Sequence, residues 1–144
     1  MSLQNLIKNK LVTATAEQSV TEVAELMKEH EIGSVIVVDE YGAPEGIITD
    51  RDIVLRCVVN KTDCENVHAR NIMSRSVKTV NESDGLMDVI RCMSDERVRR
   101  IPVVDDNGRA VGLVSFGDLL ELLATELAHL AVPATPEDKK ISAA

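Results

Sequence analysis

Apolar residues recur along this chain in two alternating rhythms. Val20, Val23, Ala24 and Met27 lie at helical spacing, and Leu86, Val89, Ile90 and Met93 repeat it. Both sets predict an amphipathic helix. Ser19 and Glu22 form a capping-box spacing at the start of the first one. After each helix the rhythm changes to short, continuous, β-branched runs, "SVIVVD" from Ser34 and "RIPVVD" from Arg100. Such runs suit strands covered on both faces. Each ends in a turn, "DEYG" or "DDNG", whose glycine supplies a positive φ. A second strand follows, "EGIIT" or "AVGLVS", and a helix begins near Asp50 or Gly117. Short extended pieces, Leu11–Ala14 and Val77–Val80, precede the amphipathic helices.

The order β-α-β-β-α therefore occurs twice. "VIVVDEYGAPEGIITDRDI" from Val35 aligns without a gap to "IPVVDDNGRAVGLVSFGDL" from Ile101, an offset of 66 residues. The same offset pairs Asn5 with Asn71, Thr13 with Thr79 and Met27 with Met93. One copy buries too little surface to be comfortable alone, so two copies packed sheet to sheet are expected, with an internal pseudo-two-fold axis. The expected organisation is a first repeat over 5–60, a polar linker over 61–70 and a second repeat over 71–132. The tail 133–144 carries Pro and charge with no apolar period, and disorder is expected there. The fold class is α/β (α+β).

Composition narrows the function. The 144 residues are 44% apolar and 28% charged, the profile of a soluble globular protein. A net charge of −8 argues against a general nucleic-acid or anionic-membrane binder. One Tyr, one Phe and no Trp leave no base-stacking platform. No apolar stretch is long enough to span a membrane, and the N-terminus has no signal-peptide core. Cys57, Cys64 and Cys92 follow no metal-binding spacing and read as reduced structural thiols, which fits a cytoplasmic protein. No nucleophile–base pair, metal cluster or Walker loop is visible, so an enzyme is not expected.

The last helix, from Asp118 to about Ala131, carries Leu119, Leu120, Leu122, Leu123, Leu127 and Leu130. That apolar arc is wider than one core face needs, which points to a generously buried terminal helix or a self-association surface.

The repeated segments "GSVIVVDEYGAPEGIITDRDI" and "RRIPVVDDNGRAVGLVSFGDL", with "NIMSRSVKTV" leading into the second, resemble the CBS domain family. More specifically they resemble a stand-alone tandem pair, a Bateman module. The resemblance covers about residues 5–125. It implies adenosyl ligands (AMP, ADP, ATP or S-adenosylmethionine) in two clefts between the copies. It also implies a disc-shaped homodimer. With no effector domain recognisable, output would pass to an effector protein in trans. A catalytic cofactor is not implied.

The family's nucleotide signature is matched by Gly46-Ile47-Ile48-Thr49-Asp50-Arg51-Asp52 and by Gly112-Leu113-Val114-Ser115-Phe116-Gly117-Asp118. An ionised Asp52 or Asp118 can accept both hydroxyls of a ribose. Thr49 and Ser115 stand at helix N-termini, where exposed N–H groups favour an anion or acceptor. Gly46 and Gly112 remove a side chain where a ligand could approach the backbone. The same spacings are also those of capping boxes, which need no ligand. An interaction module with empty clefts therefore stands as the alternative.

The two copies differ just before their first core strand. Arg99 and Arg100 of the second stand where the first has Gly33 and Ser34. Guanidinium donors match phosphate oxygens. By the resemblance, bases here reach phosphate held beside the other copy's signature, joining Thr49 and Asp52 to Arg99 and Arg100. Ser115 and Asp118 would join Gly33 and Ser34. The alternative for the arginines is surface pairing with Asp95 and Glu96. Purine edges would be read by backbone near Thr13, Ser34, Val35 and Ile36, and near Thr79, Ile101 and Pro102. Pro102 removes one donor, so the clefts cannot offer identical hydrogen bonds.

Overall fold

A computed structural model of the chain describes residues 3–7 and 11–132. The tail expected to be disordered, 133–144, lies outside the described residues. The chain divides into two compact units, residues 1–114 and 115–144.

In the first copy, β1 (Thr13–Thr15) leads to α1 (Val20–His30), β2 (Ser34–Val38), β3 (Pro44–Thr49) and α2 (Asp50–Ile53). A π-helical turn, Val54–Val58, continues α2. A short helix α3 (Ala69–Ile72) then introduces the second copy. That copy contains β4 (Val80–Asn81), α4 (Leu86–Glu96), β5 (Arg100–Val104), β6 (Ala110–Ser115) and α5 (Phe116–Leu130). The 66-residue offset carries α1 onto α4, β2 onto β5 and β3 onto β6 without adjustment. Each copy has a three-stranded sheet, ordered β1-β2-β3 and β4-β5-β6. β1 runs parallel to β2, and β3 antiparallel to it.

Local chemistry sets these boundaries. Ser19 Oγ accepts from Glu22 N at 3.1 Å, and Glu22 Oε2 accepts from Ser19 N at 2.7 Å, so the expected capping box starts α1. Glu31 and Arg97, one offset apart, end α1 and α4 in the left-handed region. Gly42 (φ 83°) and Gly108 (φ 78°) close the two hairpin turns. In each turn an Asp carboxylate, Asp39 or Asp105, collects two backbone N–H groups.

Val20, Val23 and Met27 of α1 pack with Val35 and Val37 of β2 and Ile48 of β3. Each fully buried Val or Ile contributes about 1.5–3 kcal/mol. Ile36 is also buried yet stands outside this cluster, so β2 is covered on its second face too. Pro102 occupies the matching place in β5 and is buried in the same way.

Two findings depart from the sequence reading. The extended piece expected at Val77–Val80 forms a strand only at Val80–Asn81. Thr13 pairs with Ile36, but the equivalent partner of Thr79 is Pro102, which has no N–H to give a ladder.

The polar stretch 61–70 is hydrogen-bonded to the first copy. Val20 N donates to Val67 O, Ala69 N to Gln18 O and Arg70 N to Ala16 O, at 2.8, 2.7 and 3.1 Å. Ala69 and Ile72 are buried in the first copy's core.

Finally, Cys57 and Cys64 are joined as a disulfide, with Cα atoms 6.3 Å apart. This overturns their reading as reduced thiols and removes the argument it gave for a cytoplasmic location. Cys92 is unbridged, and burial, then the Glu96 carboxylate, push its thiol pKa up.

The disulfide closes a short loop against a fully buried Cys57. Reducing it, or making Cys64→Ser, should lower the unfolding free energy by about 2–3 kcal/mol. Urea unfolding with and without reductant measures this. Equal midpoints would show that the bridge contributes nothing.

Among the described residues no helix is long and apolar enough to cross a membrane.

Candidate nucleotide site

β2 and β3 bring one group of expected site residues to the same end of the first sheet. Ser34 pairs with Thr49, Val35 with Ile48 and Ile36 with Ile47, while Thr13 pairs with Ile36 from the other side. Thr13, Ser34 and Thr49 are half-buried there. Asp52 follows Thr49 by three residues, inside the first turn of α2.

The Thr49–Asp52 pair closes a capping box. Thr49 Oγ1 accepts from Asp52 N at 3.1 Å, and Asp52 Oδ2 accepts from Thr49 N at 2.9 Å. Ser115 and Asp118 do the same at the head of α5, at 3.1 and 2.7 Å. There Ser115 Oγ also donates to Asp118 Oδ2 at 2.8 Å. A carboxylate has about four acceptor positions, and the cap uses one or two of them. Capping and ribose binding are thus compatible at these residues.

Gly46 and Gly112 also have a packing reason. A Cβ on Gly46 would stand 2.6 Å from Met73 Sδ and 2.9 Å from Ser74 O. A Cβ on Gly112 would overlap Ile7 Cγ2. Ile7 and Met73 are one offset apart. The segment leading into each copy therefore lies across the other copy's strand, and the glycines make room for it. Ile47 and Ser74 extend this into a bridge with two hydrogen bonds of 3.1 and 2.9 Å. The two copies are tied a second time where Ala110 N donates to Gly42 O at 2.9 Å. The symmetric bond cannot form, because Pro44 stands in Ala110's place without an N–H.

Val35, Ile48, Ile101 and Val114 are fully buried. Their side chains belong to the cores, so only their backbone could face a ligand. In the second sheet Thr79 is exposed immediately before β4, and Pro102 is buried. Arg99 is exposed, and Arg100 is half-buried at the start of β5. Glu96, one of the two carboxylates weighed as partners for the arginines, meets Lys78 at 3.6 Å. Arg100 has no ion pair among the described residues.

Two open clefts, about 440 and 500 Å³, lie at the far end of the first sheet and share Glu17 and Glu45; Arg70, Met73 and Arg75 complete the larger. None of the expected site residues lines them. The smaller also has Asp39 and Glu40 on its wall, which disfavours an anion. Among the described residues, no group of three or more His, Cys, Asp or Glu is placed to hold a metal ion.

One residue at the site went unnoticed in the sequence. Arg56 lies 3.5 Å from Asp52 Oδ1 through one guanidinium nitrogen. Its i,i+4 spacing from Asp52 is the signal that could have found it.

Comparison with known proteins agrees with this architecture. The family model for the CBS domain matches residues 3–58 and again 69–125. CBS domain-containing protein YhcV of Bacillus subtilis is 35% identical over 118 residues, covering 82% of each chain. Protein MK0525 of Methanopyrus kandleri is 38% identical over 122 residues, which is 85% of this chain and 62% of that one. The solved CBS domain pair of protein MJ0100, in complex with 5′-methylthioadenosine and S-adenosyl-L-methionine, is 32% identical with a TM-score of 0.74. The match covers 88% of this chain and 98% of that one. With the β-α-β-β-α order repeated at one constant offset and both halves matched, the chain belongs to the CBS domain family as a tandem pair.

Proposed function

We propose that this CBS pair is a regulatory module that binds an adenosyl compound beside Thr49 and Asp52 and signals to a partner protein in trans. The observation that carries this reading is an asymmetry. Arg100 is half-buried and, among the described residues, without an ion pair where the first copy has Ser34. A guanidinium at the start of a buried strand suits a phosphate. A CBS pair of related sequence holds two adenosyl ligands, which supports the ligand class. Asp52 takes the ribose hydroxyls, strand backbone reads the purine edge, and Arg99 and Arg100 meet the phosphate.

The module works as a homodimer through α5. Phe116, Leu120, Leu123, Leu127 and Leu130 are all exposed, and their 4-3-4-3 spacing makes a continuous seam on that helix. Leu127 is 66% exposed. Such a seam is self-complementary and fits a second copy.

The closed capping boxes favour a second reading, an interaction module without a ligand. The arginines separate the two. Arg99→Ala with Arg100→Ala should weaken AMP about a hundredfold, as expected for two charge-assisted contacts. Adenosine should change little. Calorimetric titration measures both. Equal loss for AMP and adenosine would remove the arginines from the phosphate site.

A further inference from the structure

Asp52 is held from two sides. Its Oδ2 accepts the Thr49 backbone N–H at 2.9 Å, and its Oδ1 faces the Arg56 guanidinium at 3.5 Å. The Asp52 side chain is 17% exposed and that of Arg56 45%. The remaining terminal nitrogen of Arg56 turns away from Asp52. It donates to Ile72 O at 2.6 Å and to Ser74 Oγ at 3.3 Å. Ile72 is the last residue of α3, so Arg56 satisfies a helix-end carbonyl. Ser74 is bridged to Ile47 of β3, and Met73 between them packs on Gly46. The second copy has Leu122 one offset from Arg56, so only the first signature has this arrangement.

We infer that Arg56 is a positioning residue that sets the Asp52 carboxylate and couples its occupancy to the segment Ile72–Ser74. This rests on the adenosyl reading of Thr49 and Asp52. The guanidinium is planar, with its donors in a fixed fork. Turning one nitrogen to follow Asp52 therefore moves the other, which holds Ile72 O. When ribose hydroxyls draw on the carboxylate, the change reaches the stretch of chain that leads into the second copy. That stretch also lies across β3, so the ligand site and the junction between copies share one side chain. A lysine in place of Arg56 keeps the charge beside Asp52, but its single nitrogen cannot hold both partners.

The test titrates wild type, Arg56→Leu, Arg56→Lys and Asp52→Ala with AMP and with S-adenosylmethionine, and follows amide hydrogen exchange at Ser74. Wild type should bind at least one probe, with slower exchange at Ser74 in the complex. Arg56→Leu should bind about tenfold more weakly and lose that ligand-dependent slowing. Arg56→Lys should recover affinity but not the slowing. A purely structural Arg56 would change ligand-free stability and leave the slowing intact, and that result overturns the inference. Wild-type affinity in Arg56→Leu overturns it too. If Asp52→Ala abolishes binding while Arg56→Leu binds as wild type does, the coupling fails and the adenosyl reading survives. If wild type binds neither probe, both fail.

Discussion

Gly46→Val should lower the unfolding free energy by about 3 kcal/mol, the upper range for overpacking a well-filled site. Intrinsic preference points the other way, since valine suits a strand better than glycine by up to about 1 kcal/mol. The clash decides the sign. A Cβ at residue 46 would meet Met73 Sδ at 2.6 Å and the Ser74 carbonyl oxygen at 2.9 Å. The sulfur ends a flexible side chain, but the carbonyl belongs to a backbone bridged to Ile47. Met73→Ala should therefore rescue Gly46→Val only in part. At the matching position the nearest atoms all belong to the Ile7 side chain. Gly112→Val should accordingly be rescued more fully by Ile7→Ala. Urea unfolding of the four variants gives the comparison. A Gly46→Val protein as stable as wild type would mean that the glycine is not there to admit the crossing segment.

That glycine shows where a sequence can be read and where it cannot. The duplication was legible because helix and strand periods are local, and a constant offset aligned them. α1 with α4, β2 with β5 and β3 with β6 follow from it directly. The turn glycines were legible because Asp39 and Asp105 precede them at turn spacing. The crossing of Met73 over Gly46 leaves no period. Only the offset hinted at it, by pairing Ile7 with Met73 and Gly46 with Gly112. The docking of Val67 to Arg70 on the first copy was hidden for a similar reason, because it uses backbone groups that a polar linker also has. The disulfide joins residues of unremarkable spacing, and the π-helical turn that carries Cys57 is invisible in composition.

At the candidate site the sequence named Thr49, Asp52 and the arginines, and it raised the capping alternative. Both capping boxes are present. Arg56 was missed because an Arg four residues after an Asp on a helix is ordinarily a solvated surface pair worth little. Its second set of partners, 16 and 18 residues further on, makes it different.

The second large effect concerns ligand binding itself. An adenosyl compound at a hundredfold above its dissociation constant should raise the stability of this CBS pair by about 2.7 kcal/mol. Asp52→Ala should abolish that increment. The substitution also removes the Asp52 half of a capping box, a cost of up to about 1 kcal/mol that is there whether or not ligand is present. The informative quantity is therefore the difference with and without ligand in the same variant, from which the capping cost cancels.

The most direct measurement is thermal unfolding of the wild-type protein with AMP, ADP, ATP, adenosine, S-adenosylmethionine, NAD and a cyclic dinucleotide, followed by calorimetric titration. A concentration-dependent rise in Tm is expected with at least one adenosyl compound, lost in Asp52→Ala. No rise with any of them, and no heat of binding, would contradict it and leave the signature residues as helix caps alone.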